Sequence, residues 1–92
     1  MHIQERPING LMILDLQGRL TLDDGVELLR DKVHSILHQG FTKILLNLEN
    51  VPSMDSAGLG SVVGAYTSVT GKGGTLKLLH LTKRIHDLLV IT

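Results

Sequence analysis

The chain has 92 residues, enough for one domain and too few for two. Nine basic residues offset nine acidic ones, which argues against a nucleic-acid or anionic-membrane partner, since both call for a basic excess. There is no cysteine, so a disulfide framework and a thiolate metal site are excluded, and with aromatics at only 2% the core must be built from Leu, Ile and Val.

The elements follow in chain order. Ile3 to Arg6 reads as a short strand, and Pro7, which cannot donate to a ladder, places it at a sheet edge. Asn9-Gly10 supplies the positive φ values of a tight hairpin turn. Leu11 to Leu16 is nearly all apolar and predicts a strand covered on both faces, paired antiparallel with the first. Thr21 is a candidate N-cap, with Asp23, Asp24 and Glu27 placing negative charge in the first turns of a helix. The stripe Leu22, Val26, Leu29, Val33, Ile36 and Leu37 fits that helix, and Gly40 stops it.

Ile44 to Leu48 predicts another buried strand. After the loop Glu49 to Ser53, a second helical stripe runs through Leu59, Val62, Val63, Tyr66 and Val69, ended by Gly71, Gly73 and Gly74. Thr75 to His80 reads as a fourth strand, and Thr82 can cap a last helix carrying Ile85, Leu88 and Leu89. The order β-β-α-β-α-β-α implies an α/β fold: a mixed sheet, mostly parallel through right-handed crossovers, with an antiparallel edge hairpin and packed helices. The apolar end Leu88-Leu89-Val90-Ile91-Thr92 has no C-cap. That tail, or a free sheet edge, is a candidate contact for a homodimer. No stretch approaches the roughly 18 apolar residues of a membrane span, and Met1 to Arg6 lacks a signal-peptide design, so a cytoplasmic location is expected.

The most informative segment is Met54-Asp55-Ser56-Ala57-Gly58-Leu59-Gly60. It sets a serine at a helix start, where free N–H groups and dipole favour an anion. Asp55 and Ser56 are each good N-caps. Met54, Ala57 and Leu59 beside them offer a low apolar surface for a partner. A catalytic nucleophile is disfavoured because an α/β-hydrolase elbow needs glycine two positions before the serine, where Met54 stands. Dinucleotide binding is disfavoured because Gly58, Gly60 and Gly64 fall inside the helix rather than in the strand-to-helix turn. In that helix Gly60 and Gly64, four apart, suggest close packing against a neighbour. Gly71-Lys72-Gly73-Gly74 precedes a strand, not a helix, and so reads as a turn rather than a phosphate loop. His34 and His38 could share a metal, but no third ligand is identifiable.

The segment Leu46-Asn47-Leu48-Glu49-Asn50-Val51-Pro52-Ser53-Met54-Asp55-Ser56-Ala57-Gly58-Leu59-Gly60 closely resembles the signature of STAS domains of the anti-sigma factor antagonist family. Gly18-Arg19-Leu20, Gly73-Gly74 and Leu79-His80-Leu81-Thr82 fit the same pattern, so the likeness covers residues 1–92 as one domain. The resemblance implies a bacterial regulatory protein rather than an enzyme. Its unphosphorylated form would bind an anti-sigma factor that is also a serine kinase. That kinase would phosphorylate Ser56, with Asp55 as local support, and a metal-dependent serine phosphatase would reverse the step. Met54, Ala57, Gly58, Leu59 and Gly60 would meet the partner, and no cofactor would be needed. Ala57 stands where many relatives carry a second serine, and relatives usually continue with a further strand and helix. Other members of the family serve in stressosomes or in anion transporters, which leaves a scaffold or small-ligand role as the alternative.

Overall fold

Asn9 and Gly10 adopt φ of 48° and 84° and close the two-residue turn that the sequence predicts. The turn joins β1 (His2–Ile8) to β2 (Leu11–Gln17) as an antiparallel pair, with Ile8 opposite Leu11. The computed structural model describes residues 1–80 and Lys83. It continues through α1 (Val26–His38), β3 (Lys43–Asn50), α2 (Ser56–Gly71) and β4 (Thr75–Leu79). The sheet order is β1-β2-β3-β4, and β2, β3 and β4 run parallel. This is the α/β mixed sheet with an antiparallel edge hairpin that the sequence implies. The helix expected after Thr82, and the apolar tail offered as a dimer contact, lie outside the described residues.

Both crossovers, β2-α1-β3 and β3-α2-β4, step in the same direction across the sheet. With the same handedness they must place both helices on one face. Met12, Leu14, Leu16, Ile44, Leu46, Leu48 and Leu76 point to that face and form one core with Leu29, Val33 and Ile36 of α1 and Val62, Ala65 and Val69 of α2. Among the described residues, the expectation that β2 is covered on both faces is met only in part. On its far face Ile13 is buried, while Leu11 and Asp15 are only half-buried. There Arg6 reaches past Ile13, its cross-strand partner, to form an ion pair with Asp15, which also accepts from Asn47 Nδ2 at 2.8 Å.

Two helix readings also change. The first helix starts at Val26, not after Thr21, because Thr21 and Asp24 exchange backbone hydrogen bonds of 2.8 and 3.0 Å and fold residues 21–24 into a tight turn. Gly25, at φ 96°, then caps the helix without a side-chain bond. Leu22 consequently leaves the core stripe and is 72% exposed. In α2 the buried stripe is Val62, Ala65 and Val69, whereas Val63 and Tyr66 are more than half exposed and face a shallow groove beside β4. No helix among the described residues is long and apolar enough to cross a membrane.

Candidate functional site

The chain leaving β2 and the chain leaving β3 run side by side beyond the sheet. The Gly18 N–H donates to the Asn50 carbonyl at 3.0 Å and the Leu20 N–H to the Ser53 carbonyl at 3.1 Å, and Leu20 bridges Met54 in parallel. Leu20 and Val51 are fully buried and anchor these two loops to the core. Burial of an aliphatic side chain of this size is worth roughly 1.5–3 kcal/mol, so the loops are held by more than their hydrogen bonds. The α2 helix begins where they meet.

Asp55 is the N-cap of α2, in extended conformation. Its Oδ1 accepts from the Gly58 N–H at 2.8 Å, satisfying one of the orphan donors of the first turn. Its Oδ2 accepts from the Leu22 N–H at 3.0 Å. One carboxylate thus ties the helix start to the loop before α1. The Leu22 N–H first, and then the Gly58 N–H, hold the Asp55 carboxyl below the usual carboxylate range, so it is ionised at neutral pH.

Ser56 follows as the first helical residue. It is exposed, and among the described residues no side-chain hydrogen bond engages its Oγ. Gly58 is buried for a steric reason: a Cβ there would stand 2.0 Å from the Leu20 carbonyl oxygen and 2.7 Å from Met54 Cγ. Only glycine lets the first turn of α2 approach the Leu20 backbone so closely. Met54 is partly buried against the core, Ala57 and Leu59 are half-buried, and Gly60 is exposed. The surface around Ser56 is therefore made by Ala57, Leu59 and Gly60, while Met54 and Gly58 shape it from beneath.

Leu22, on the loop tied to this helix start, was not among the expected site residues. Its backbone is bonded to Asp55 and its side chain is 72% exposed, which sets a bare leucine on the loop bonded to the cap of the serine-bearing helix. The signal was present in Asp23-Asp24-Gly25, a turn-forming run that competes with helix initiation. His34 and His38 line a groove with Ser68 and Lys72 in the part of α2 remote from Ser56. Among the described residues no group of three or more His, Asp or Glu is placed to hold a metal.

The STAS domain family model matches residues 2–92. The chain is 31% identical over 91 residues to an anti-sigma F factor antagonist of Paenibacillus polymyxa, a match that covers 97% of this chain and 76% of that one. It is 41% identical over 64 residues to an anti-sigma-B factor antagonist of Bacillus subtilis, covering 70% of this chain and 58% of the relative. Among solved structures, the anti-sigma factor antagonist SpoIIAA in its unphosphorylated form superposes with a TM-score of 0.80 at 26% identity, over 99% of this chain and 84% of that one. The phosphorylated form of the Bacillus cell fate determinant SpoIIAA gives the same TM-score of 0.80, over 98% and 82% of the two chains. On the matched span and the shared fold, the chain belongs to the STAS domain family.

Proposed function

We propose that this chain is an anti-sigma factor antagonist switched by phosphorylation of Ser56. The observation that carries the reading is the exposed Ser56 hydroxyl at the N-terminus of α2, on a surface fixed by Asp55 and bordered by the exposed Leu22. Unphosphorylated, this surface docks on an anti-sigma factor serine kinase and withdraws it from its sigma factor. The names of the relatives and the two SpoIIAA structures support the assignment.

In the modification step the Ser56 Oγ attacks the γ-phosphorus of ATP held by the kinase. The Oγ–P bond forms, the bond to ADP breaks, and the hydroxyl proton passes to a base of the kinase. A metal-dependent serine phosphatase hydrolyses the ester and restores the hydroxyl. This chain supplies the acceptor and its positioning, and needs no cofactor of its own.

The added group carries about −1.5 to −2 charges at neutral pH. The helix N-terminus favours it by roughly 0.3–1 kcal/mol, while the ionised Asp55 opposes it through solvent. These effects offset each other, so the fold changes little. SpoIIAA agrees with this, since both of its forms match the present fold equally well. Docking is more sensitive, because it would desolvate the phosphate against Leu22, Ala57 and Leu59. The test is the affinity of wild type, Ser56→Ala and Ser56→Asp for the cognate kinase. The reading expects Ser56→Asp to bind ten- to several-hundred-fold more weakly than the other two, and equal affinities would sink it.

A further inference from the structure

A groove runs between α1 and α2, and Gly60 and Gly64 line it. Close packing does not explain these glycines: among the described residues, a Cβ added at either meets no atom within 4 Å beyond its own stretch of helix. Both sit inside a helix, where glycine is the poorest ordinary former. The fold thus keeps two unfavourable residues at positions where its own packing would accept alanine.

The groove has two sections, of 360 Å³ and 690 Å³, that adjoin at His34 and Ser68. It extends from Ala57 to Lys72, and at 1.5 Å per helical residue that is about 22 Å, or four turns of helix. Val33 and Ala65, both buried, give the smaller section an apolar floor. Arg30 and His34 border one section, and His34, His38 and Lys72 the other. Among the described residues, no Asp or Glu lines either section. His38 and Lys72 lie at helix C-terminal ends, where the dipole alone would favour them. Arg30 and His34 lie within α1 and have no such account. Arg30 does approach Asp31, but at 3.6 Å between two exposed side chains, a pairing that leaves it available.

We propose that this groove docks an amphipathic α-helix of a partner protein, with an apolar ridge against α2 and Asp or Glu residues along the edge facing α1. The length suits a helix better than a compact ligand, the small residues admit its ridge, and the Arg30 and Lys72 cations on the border select its charge. Ala57 and Gly60 belong both to the groove and to the Ser56 surface, so a partner bound at one can reach the other. The inference does not depend on phosphorylation of Ser56.

The test uses a stapled 15-residue helical peptide with a leucine ridge and a glutamate edge, and a second peptide with lysine in place of glutamate. Each is titrated into the ¹⁵N-labelled full chain, wild type, Gly64→Leu and Arg30→Glu, with a thermal melt of each variant as the folding control. The expected result is saturable shifts at the amides of His34, Gly60, Gly64 and Ser68 with the glutamate peptide. Apparent affinity should fall at least tenfold with the lysine peptide and with each variant. Shifts confined to Val63, Tyr66 and Leu78, or to Ile8, Leu11 and Leu45, would place the peptide on another face and overturn the proposal. Equal binding of the two peptides, no shifts at all, or unchanged binding by folded Gly64→Leu and Arg30→Glu would also overturn it.

Discussion

The Asp55 carboxylate is bonded to the backbone of Leu22, 33 positions earlier in the chain, while its other oxygen caps the helix that begins at Ser56. One side chain therefore fixes both the presentation of the serine hydroxyl and the position of the exposed leucine beside it. Replacement of Asp55 by Ala should lower the thermal midpoint by several degrees and, because Leu22 is released, weaken partner binding even with Ser56 intact. Unfolding curves and titration with the kinase check the two effects separately.

The same bonds give Asp55 a pH signature. Its folded-state carboxyl is more acidic than the ordinary value of 3.8. Near and just below that value the unfolded chain binds more protons at this position than the folded one. The contribution of Asp55 to stability is therefore fully present above the ordinary carboxylate range, and is lost as pH falls through the depressed folded value. Urea midpoints measured between neutral pH and pH 3 should fall less steeply for Asp55→Asn than for wild type. Identical slopes would mean that the bonds to Leu22 and Gly58 do not form in solution.

Gly58 tests the close approach of α2 to the Leu20 backbone. A methyl group there would lie 2.0 Å from a carbonyl oxygen held in the core-anchored loop, so Gly58→Ala forces the two segments apart. The expected cost is about 1–3 kcal/mol, in the range of overpacked core sites. Denaturant unfolding measures it, and a neutral outcome would contradict the geometry.

Gly64 should behave in the opposite way. Among the described residues its added Cβ meets nothing within 4 Å beyond its own stretch of helix, and alanine is the better helix former, so Gly64→Ala should stabilise the domain by roughly 0.5–1 kcal/mol. The contrast between the two glycines in one helix can be read in a single pair of urea titrations.

Leu22 separates binding from stability. Because the side chain is mostly in solvent, Leu22→Ser should alter unfolding by no more than about 0.5 kcal/mol. Affinity for the kinase should drop severalfold or more, as when an apolar anchor is removed from an interface. Calorimetric titration beside a thermal melt provides both numbers.

Much of this arrangement was legible in the residues. Asn9-Gly10 announced the hairpin, the apolar runs announced β2 and β3, and Asp55-Ser56 announced a helix start, because each is a local preference that the fold leaves undisturbed. The misreadings came where two local preferences competed. Thr21 and Leu22 fit a helical spacing, but Asp23-Asp24-Gly25 favours a turn, and the backbone bonds between Thr21 and Asp24 settled the contest. Val63 and Tyr66 fit a buried stripe as well as Ala65 does, and only packing against the sheet and α1 decides which side of α2 faces inward. That α1 and α2 lie on one face of the sheet follows from the direction of both crossovers, which no single strand reveals. Gly60 and Gly64 carried the spacing of a packed interface, yet they open a groove.

Ser56 is the proposed acceptor of a regulatory phosphate. Intact-mass spectrometry after incubation with ATP and the serine kinases encoded in the same genome, comparing wild type with Ser56→Ala, tests this assignment. Wild type should gain one phosphate from one of those kinases, and Ser56→Ala none. An unmodified wild type with every kinase, or a phosphate that persists in Ser56→Ala, would contradict it.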